Sequence, residues 1–202
     1  MLEGIDGCGK STQAEKLARS LGALLTSEPG ATPLGVDLRA LLLDPSKSSV
    51  SLRAEALLMA ADRAEHMVEI LEPALAQGSW VVCDRFTAST IAYQGYGRGL
   101  DLAELEPVAR FAAYGLVPDL QVLIDVPLEV ARKRMKPARA DRLEHLGDDF
   151  FGLVREGYLA LARNDTEHWA VVDGSPEVQQ VEAQILEVVT ARLGRPPEGV
   201  PA

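Results

Sequence analysis

Short apolar runs alternate with amphipathic stretches from one end of the chain to the other. The runs of strand length are Met1 to Glu3, Ala23 to Ser27, Ser79 to Asp84, Leu120 to Val126 and His168 to Asp173, the last three being the clearest. Between them the 3.6-residue period predicts helices over 10–21, 33–43, 52–77, 101–115, 127–135, 149–163 and 176–193. Local chemistry marks the ends. Thr32-Pro33 and Ser175-Pro176 each set a hydroxyl before a proline that suits a first helical position, and Asp101 with Glu104 has capping-box spacing. Gly22, Gly78 and Gly115 read as helix stops. Strands separated by helices imply an α/β fold with a mainly parallel five-stranded sheet flanked by helices. The pattern predicts one domain over 1–193. The segment 194–202, rich in proline and glycine and without apolar period, reads as a flexible tail.

Composition narrows this picture. A chain of 202 residues, 47% hydrophobic and 25% charged, belongs to the globular class. Twenty basic against thirty acidic residues leave a net charge of −10, which argues against a nucleic-acid coat. No apolar run approaches membrane-spanning length and no leader pattern is visible, so no membrane partner is expected. Cys8 and Cys83 stand far apart without metal-ligand spacing; a reducing compartment, the cytoplasm, is the expected location.

The strongest chemical signal is Gly4-Ile5-Asp6-Gly7-Cys8-Gly9-Lys10-Ser11, which fits Gly-x4-Gly-Lys-Ser/Thr and is followed by Thr12 where a helix begins. Glycines let successive backbone N–H groups turn toward a phosphate, and the helix adds its own unpaired N–H groups and positive dipole end. Lys10 suits the outer phosphates, and Ser11 supplies a hydroxyl for a magnesium ion, so Mg-ATP or Mg-GTP is the implied ligand. Motors, switches and kinases share such a loop. A second charged site would distinguish them. Asp84-Arg85 follows an apolar strand at the end where open α/β sheets bind ligands, a position equally suited to a structural salt bridge. Arg39 and Arg63 lie on predicted helices, where arginines commonly face solvent. Between two helices, Arg132, Lys133, Arg134, Lys136, Arg139 and Arg142 crowd into eleven positions around Pro137. No aromatic residue interrupts them for base stacking, which favours a mobile basic lid at about 134–147 over a nucleic-acid surface. His66, His145 and His168 form no base-and-nucleophile pattern.

Four stretches resemble the thymidylate kinase family along nearly the whole chain: Glu3 to Gln13, Glu28 to Gly35, Asp84 to Gly99, and Pro118-Asp119. The resemblance implies a P-loop nucleotide kinase fold and a homodimer that transfers the γ-phosphoryl of Mg-ATP to dTMP, giving dTDP and ADP for dTTP synthesis. By that resemblance Arg85 and Arg39 clamp the acceptor phosphate, Arg63 reads the thymine edge, and Ser89, Thr90 and Gln94 line the base pocket. Tyr93 lies beside the sugar, where it would crowd a ribose 2′-hydroxyl. Asp6 meets the sugar hydroxyl and the arginine clamp, with Glu28 in the same neighbourhood. The donor site takes in Gly4, Ile5, Asp6, Gly7, Cys8, Gly9, Lys10, Ser11, Thr12 and Arg134, with Asp173-Gly174-Ser175 as an adenine-side loop. Ser11 and Asp84 would attend the metal. Catalysis is assigned to Lys10, Arg85 and Asp6 with a lid arginine, Arg139 or Arg142, because Gly7 occupies the loop position where other members carry arginine.

The chain departs from the family pattern at several points. Only three residues precede Gly4, where the first strand is usually longer. Met59 replaces the aromatic ring that stacks on thymine, which implies weaker stacking and looser refusal of dUMP. Ser27 stands for a common arginine, Ala31 for a glycine, and the lid arginines are out of the usual register. Two other functions fit the phosphate loop: a deoxynucleoside kinase, for which two clamp arginines would have no phosphate to hold, and a nucleotide-binding switch.

Overall fold

A computed structural model describes residues 1–44, 50–135 and 142–195. Five strands, β1 (Leu2–Glu3), β2 (Leu24–Ser27), β3 (Val81–Asp84), β4 (Gln121–Asp125) and β5 (Trp169–Asp173), form one sheet in the order β2-β3-β1-β4-β5. Every pairing is parallel, with Leu2 opposite both Asp84 and Val122. The chain leaves β1 toward one edge and later builds the other, so the carboxyl ends around β1 open a crevice.

The helices are α1 (Lys10–Leu21), α2 (Pro33–Leu43), α3 (Leu52–His66), α4 (Glu72–Ala76), α5 (Thr87–Thr90), α6 (Leu102–Ala112), α7 (Leu128–Arg134), α8 (Gly147–Asn164) and α9 (Val178–Leu193). Where capping is local, expectation and structure coincide: Thr32 accepts a hydrogen bond from the Gly35 N–H at 3.0 Å, and Gly22 closes α1 in the left-handed region at φ 61°. Asp101 caps α6 through the Ala103 N–H, while Glu104, expected to complete a capping box, pairs with Arg53 instead. Ser175 caps no helix. Its own N–H bonds Asp173, and α9 starts three residues later behind Glu177, because the turn is organised by the Asp173 carboxylate.

The helix expected over 52–77 is helical to Ala76 but widens into a π-turn at Met67–Leu71. Pro73 lacks an amide hydrogen, so the regular ladder cannot run through it, and the turn before it opens. Residues 87–97, outside the expected helices, form α5 and a π-helical segment, Ile91–Gly97. This segment packs tightly on α8: a Cβ at Gly97 would lie 2.6 Å from the Phe150 ring, and one at Gly157 would lie 2.7 Å from Tyr96. Leu2, Val122, Leu123, Ile124, Ala92, Val154 and Tyr158 belong to the main core and fix the sheet against these helices. Among the described residues no helix is long and apolar enough to cross a membrane.

Candidate active site

Two cavities meet at the carboxyl ends of β1 and β3. The first lies over the phosphate loop. Gly7 and Gly9 take φ of 82° and 95°, where side chains are strained, and α1 begins directly behind Gly9. A Cβ at Gly7 would overlap the Ala131 carbonyl oxygen on α7, so the bare glycine lets α7 close against the loop. The cleft, open to solvent, spans about 1280 Å³ between Asp6–Gln13, Arg134 and the Gly174–Val178 turn. Arg134 reaches across its wall and donates to the carbonyls of Gly174 at 2.8 Å and Ser175 at 3.1 Å. Of the expected donor-site residues, Gly4 and Ile5 do not line the cleft. Ile5 is buried, and a Cβ on Gly4 would lie 2.8 Å from both Cys8 Sγ and the Ile124 carbonyl. Lys10 folds back over the loop, with Nζ 3.3 Å from the Ile5 carbonyl and 3.4 Å from Asp6.

The second cavity, about 590 Å³, lies on the other side of Asp6, and all ten expected acceptor residues line it: Asp6, Glu28, Arg39, Met59, Arg63, Arg85, Ser89, Thr90, Tyr93 and Gln94. Arg85 is its centre. The backbone there is left-handed, φ 76°, held by the Arg85 N–H donating to the Leu2 carbonyl across the sheet. Its guanidinium donates to Asp6, to the Tyr93 hydroxyl at 3.0 Å, to Tyr158 at 3.1 Å and to Ser89 at 3.2 Å, and lies over the Tyr93 ring. Burial alone would lift the Asp6 carboxyl, but Arg85 and Lys10 beside it hold it well below the usual carboxylate range. For Arg85 burial likewise opposes the charge, and Asp6 more than compensates, raising the guanidinium further. Both groups stay ionised.

Beneath this pair lies Glu3, fully buried, which opens the first family-like stretch but carried no expected site role. It accepts from the Phe86 N–H at 2.8 Å, Ser89 at 2.7 Å and Tyr158 at 3.1 Å, so it braces the floor under Arg85. The opposite wall is α3. Glu55, Met59 and Arg63 recur every four residues, which puts them on one face, and that face is turned inward. Arg63 donates to Thr90 at 3.0 Å and the Phe86 carbonyl at 2.9 Å and sits 2.8 Å from Glu28 as an ion pair out of line for a hydrogen bond. His66 bridges Glu28 at 2.9 Å and Thr26 at 2.7 Å. Arg39, exposed, donates to the Pro29 carbonyl. Of this face, Met59 and Arg63 were among the expected residues and Glu55 was not.

A connecting channel holds Lys10, Ser11, Asp84, Arg85 and Arg39 together with Asp6, which borders both cavities. Ser11 Oγ donates to Asp84 at 2.5 Å, and the other Asp84 oxygen is buried with no partner among the described residues. An orphaned hard oxygen beside a hydroxyl fits a magnesium ion carried on a nucleotide. Of the lid candidates, Arg139 lies outside the described residues. Arg142 does not face the phosphate loop: Glu55 accepts its NH2 at 2.6 Å and the Leu42 carbonyl its Nε at 2.8 Å, because a buried carboxylate on α3 draws it to the acceptor side.

A parallel sheet, a phosphate loop behind its central strand and a facing cavity with a buried arginine define a P-loop nucleotide kinase. The family model described as thymidylate kinase matches residues 2–185. Relatives of that name include the thymidylate kinase of Geotalea uraniireducens, 45% identical over 203 residues and covering 95% of each chain. That of Desulforudis audaxviator is 45% identical over 199 residues, covering 96% of this chain and 90% of its own length. The chain belongs to the thymidylate kinase family.

Proposed function

We propose that this chain is an ATP-dependent dTMP kinase, organised as a single P-loop kinase domain over 1–193 with a basic lid at about 134–147. The observation that carries the reading is the Arg85 clamp, which faces the phosphate loop across a carboxylate, Asp6, shared by both cavities. An acceptor monophosphate held by Arg85 and Arg39 has a second pKa of about 6 and is mostly a dianion at neutral pH, already a nucleophile. One of its oxygens attacks the γ-phosphorus, the bond to the β–γ bridging oxygen breaks, and ADP leaves with the electron pair. No protein base is required. The protein's part is alignment of two repelling anions and stabilisation of the transferring charge by Lys10, Arg85 and a lid cation. Ser11 and Asp84 would hold magnesium, which when bound neutralises charge on the triphosphate. Arg63, Thr90 and Gln94 would read the base, and Tyr93 would exclude a 2′-hydroxyl.

The protein is further proposed to be a cytoplasmic homodimer. Both cysteines are free, which suits a reducing compartment. Leu57 on α3 and Phe111, Tyr114 and Val117 at the end of α6 are exposed apolar side chains, Phe111 at 85%. A self-complementary pairing would cover them. Phe111→Asp should then sediment as a monomer where the unaltered chain sediments as a dimer.

The deciding experiment is ADP release from Mg-ATP with dTMP, dUMP, dCMP, dGMP and thymidine as separate acceptors. Release should be fast with dTMP, slower with dUMP and absent with thymidine. Equal release with every acceptor, or with none, would overturn the reading; release with thymidine would favour a nucleoside kinase.

A further inference from the structure

Glu55 is fully buried on α3, yet it does not line the acceptor cavity, and nothing in the proposed reaction uses it. It gathers Gln94 Nε2 at 3.0 Å, Arg98 at 2.9 and 3.2 Å, and Arg142 at 2.6 Å. Burial opposes its charge, but the donors of Arg98, Gln94 and Arg142 lower its pKa below the ordinary value, so it is a carboxylate, a pure acceptor, at neutral pH. Gln94 can approach such a group only through its NH2. The amide is thereby fixed: Nε2 points away from the cavity, and the carbonyl, which meets no donor among the described residues, is the branch left for a ligand. Arg63, which lines the same cavity, keeps one buried N–H, Nε, without a partner among the described residues. The cavity wall thus presents a spare acceptor and a spare donor.

We propose that Glu55 sets the hydrogen-bonding polarity of the base pocket: by taking the NH2 of Gln94 it leaves the Gln94 carbonyl to select pyrimidines with a ring N–H over those with a ring lone pair. Thymine and uracil offer that N–H beside a carbonyl, matching the wall. Cytosine offers a lone pair beside an amino group and mismatches it at both places. Glu55 is a positioning residue acting through Gln94, and the inference rests on the dTMP-kinase reading.

The test compares kcat/KM for dTMP and dCMP in the full-length enzyme, Glu55→Gln, Gln94→Leu and the double variant. A glutamine at 55 can donate or accept, which frees the Gln94 amide to turn. Glu55→Gln should lower the dTMP-to-dCMP ratio by about tenfold or more, through a higher KM for dTMP at unchanged KM for ATP. Gln94→Leu should lower the ratio comparably, and the double variant no further. A ratio within twofold of the unaltered enzyme in Glu55→Gln, or an undiminished additional loss on the Gln94→Leu background, would overturn the inference. If Glu55→Gln does not fold, Glu55→Asp, whose shorter carboxylate withdraws from the Gln94 NH2, decides: a lowered ratio supports the inference and an unchanged one overturns it. An unaltered enzyme inactive on dTMP would reject the kinase reading and this inference with it, whereas an active one with unmoved ratios rejects the inference alone.

Discussion

The two halves of the site are built from different material. The donor cleft, about 1280 Å³, is made largely of backbone, a glycine-bearing loop and a helix start, while the acceptor cavity, less than half that volume, is walled by interlocked side chains. Backbone amides bind any polyphosphate and make few distinctions. A wall in which Arg85, Tyr93, Ser89, Tyr158 and Glu3 hold one another holds a shape as well as a charge, so discrimination between acceptors belongs on this side.

Breaking the acceptor half should have the largest effect. Arg85→Ala removes the cation at the centre of the network and should reduce turnover with dTMP by about 10³-fold or more, with ATP affinity little changed. Steady-state kinetics alongside calorimetric ATP titration would check this, and unchanged turnover would remove Arg85 from the site. The donor half should fail differently. Gly7→Ala forces a side chain into left-handed backbone and against Ala131, at a cost of about 1–3 kcal/mol. Its melting temperature and ATP affinity should fall together while dTMP affinity survives; equal loss of both ligands would erase the contrast between the halves.

The smallest expected effect concerns the acceptor wall alone. Burial, with Glu28 nearby and against the Gly30 N–H, raises the Asp62 pKa from 3.8 to about 6. The folded state therefore binds this proton more tightly than the unfolded chain, and the group's contribution to stability declines as pH rises from about 4 through 6. In Asp62→Asn, which keeps an acceptor for Gly30, the melting temperature relative to the unaltered protein should climb across that window. A difference that is flat with pH would show that the charge of Asp62 carries no such cost.

Local signals carried much of this in the sequence. The bounds of α1 and α2 were legible because a glycine stop and a threonine cap act within one turn, and the phosphate loop because its glycines are dictated by backbone conformation. The segment 87–97 was not. It is buried on several sides, so no single apolar stripe distinguishes helix from loop, and its small residues are chosen for contact with α8. Glu3, Glu55 and Tyr158 escaped for a related reason. Their importance lies in partners 39 to 155 residues away, which no spacing rule reveals. The acceptor residues, by contrast, came from the family resemblance, and the fold brings all ten to one cavity.

The contact between Gly7 and the end of α7 also bears on how such enzymes diverge. An arginine at position 7 is not one substitution away from this chain, because the space belongs to the Ala131 carbonyl. Helix α7 would have to withdraw in the same lineage before the new residue became tolerable. Which side chains this loop can hold is therefore set by how closely one helix approaches one glycine.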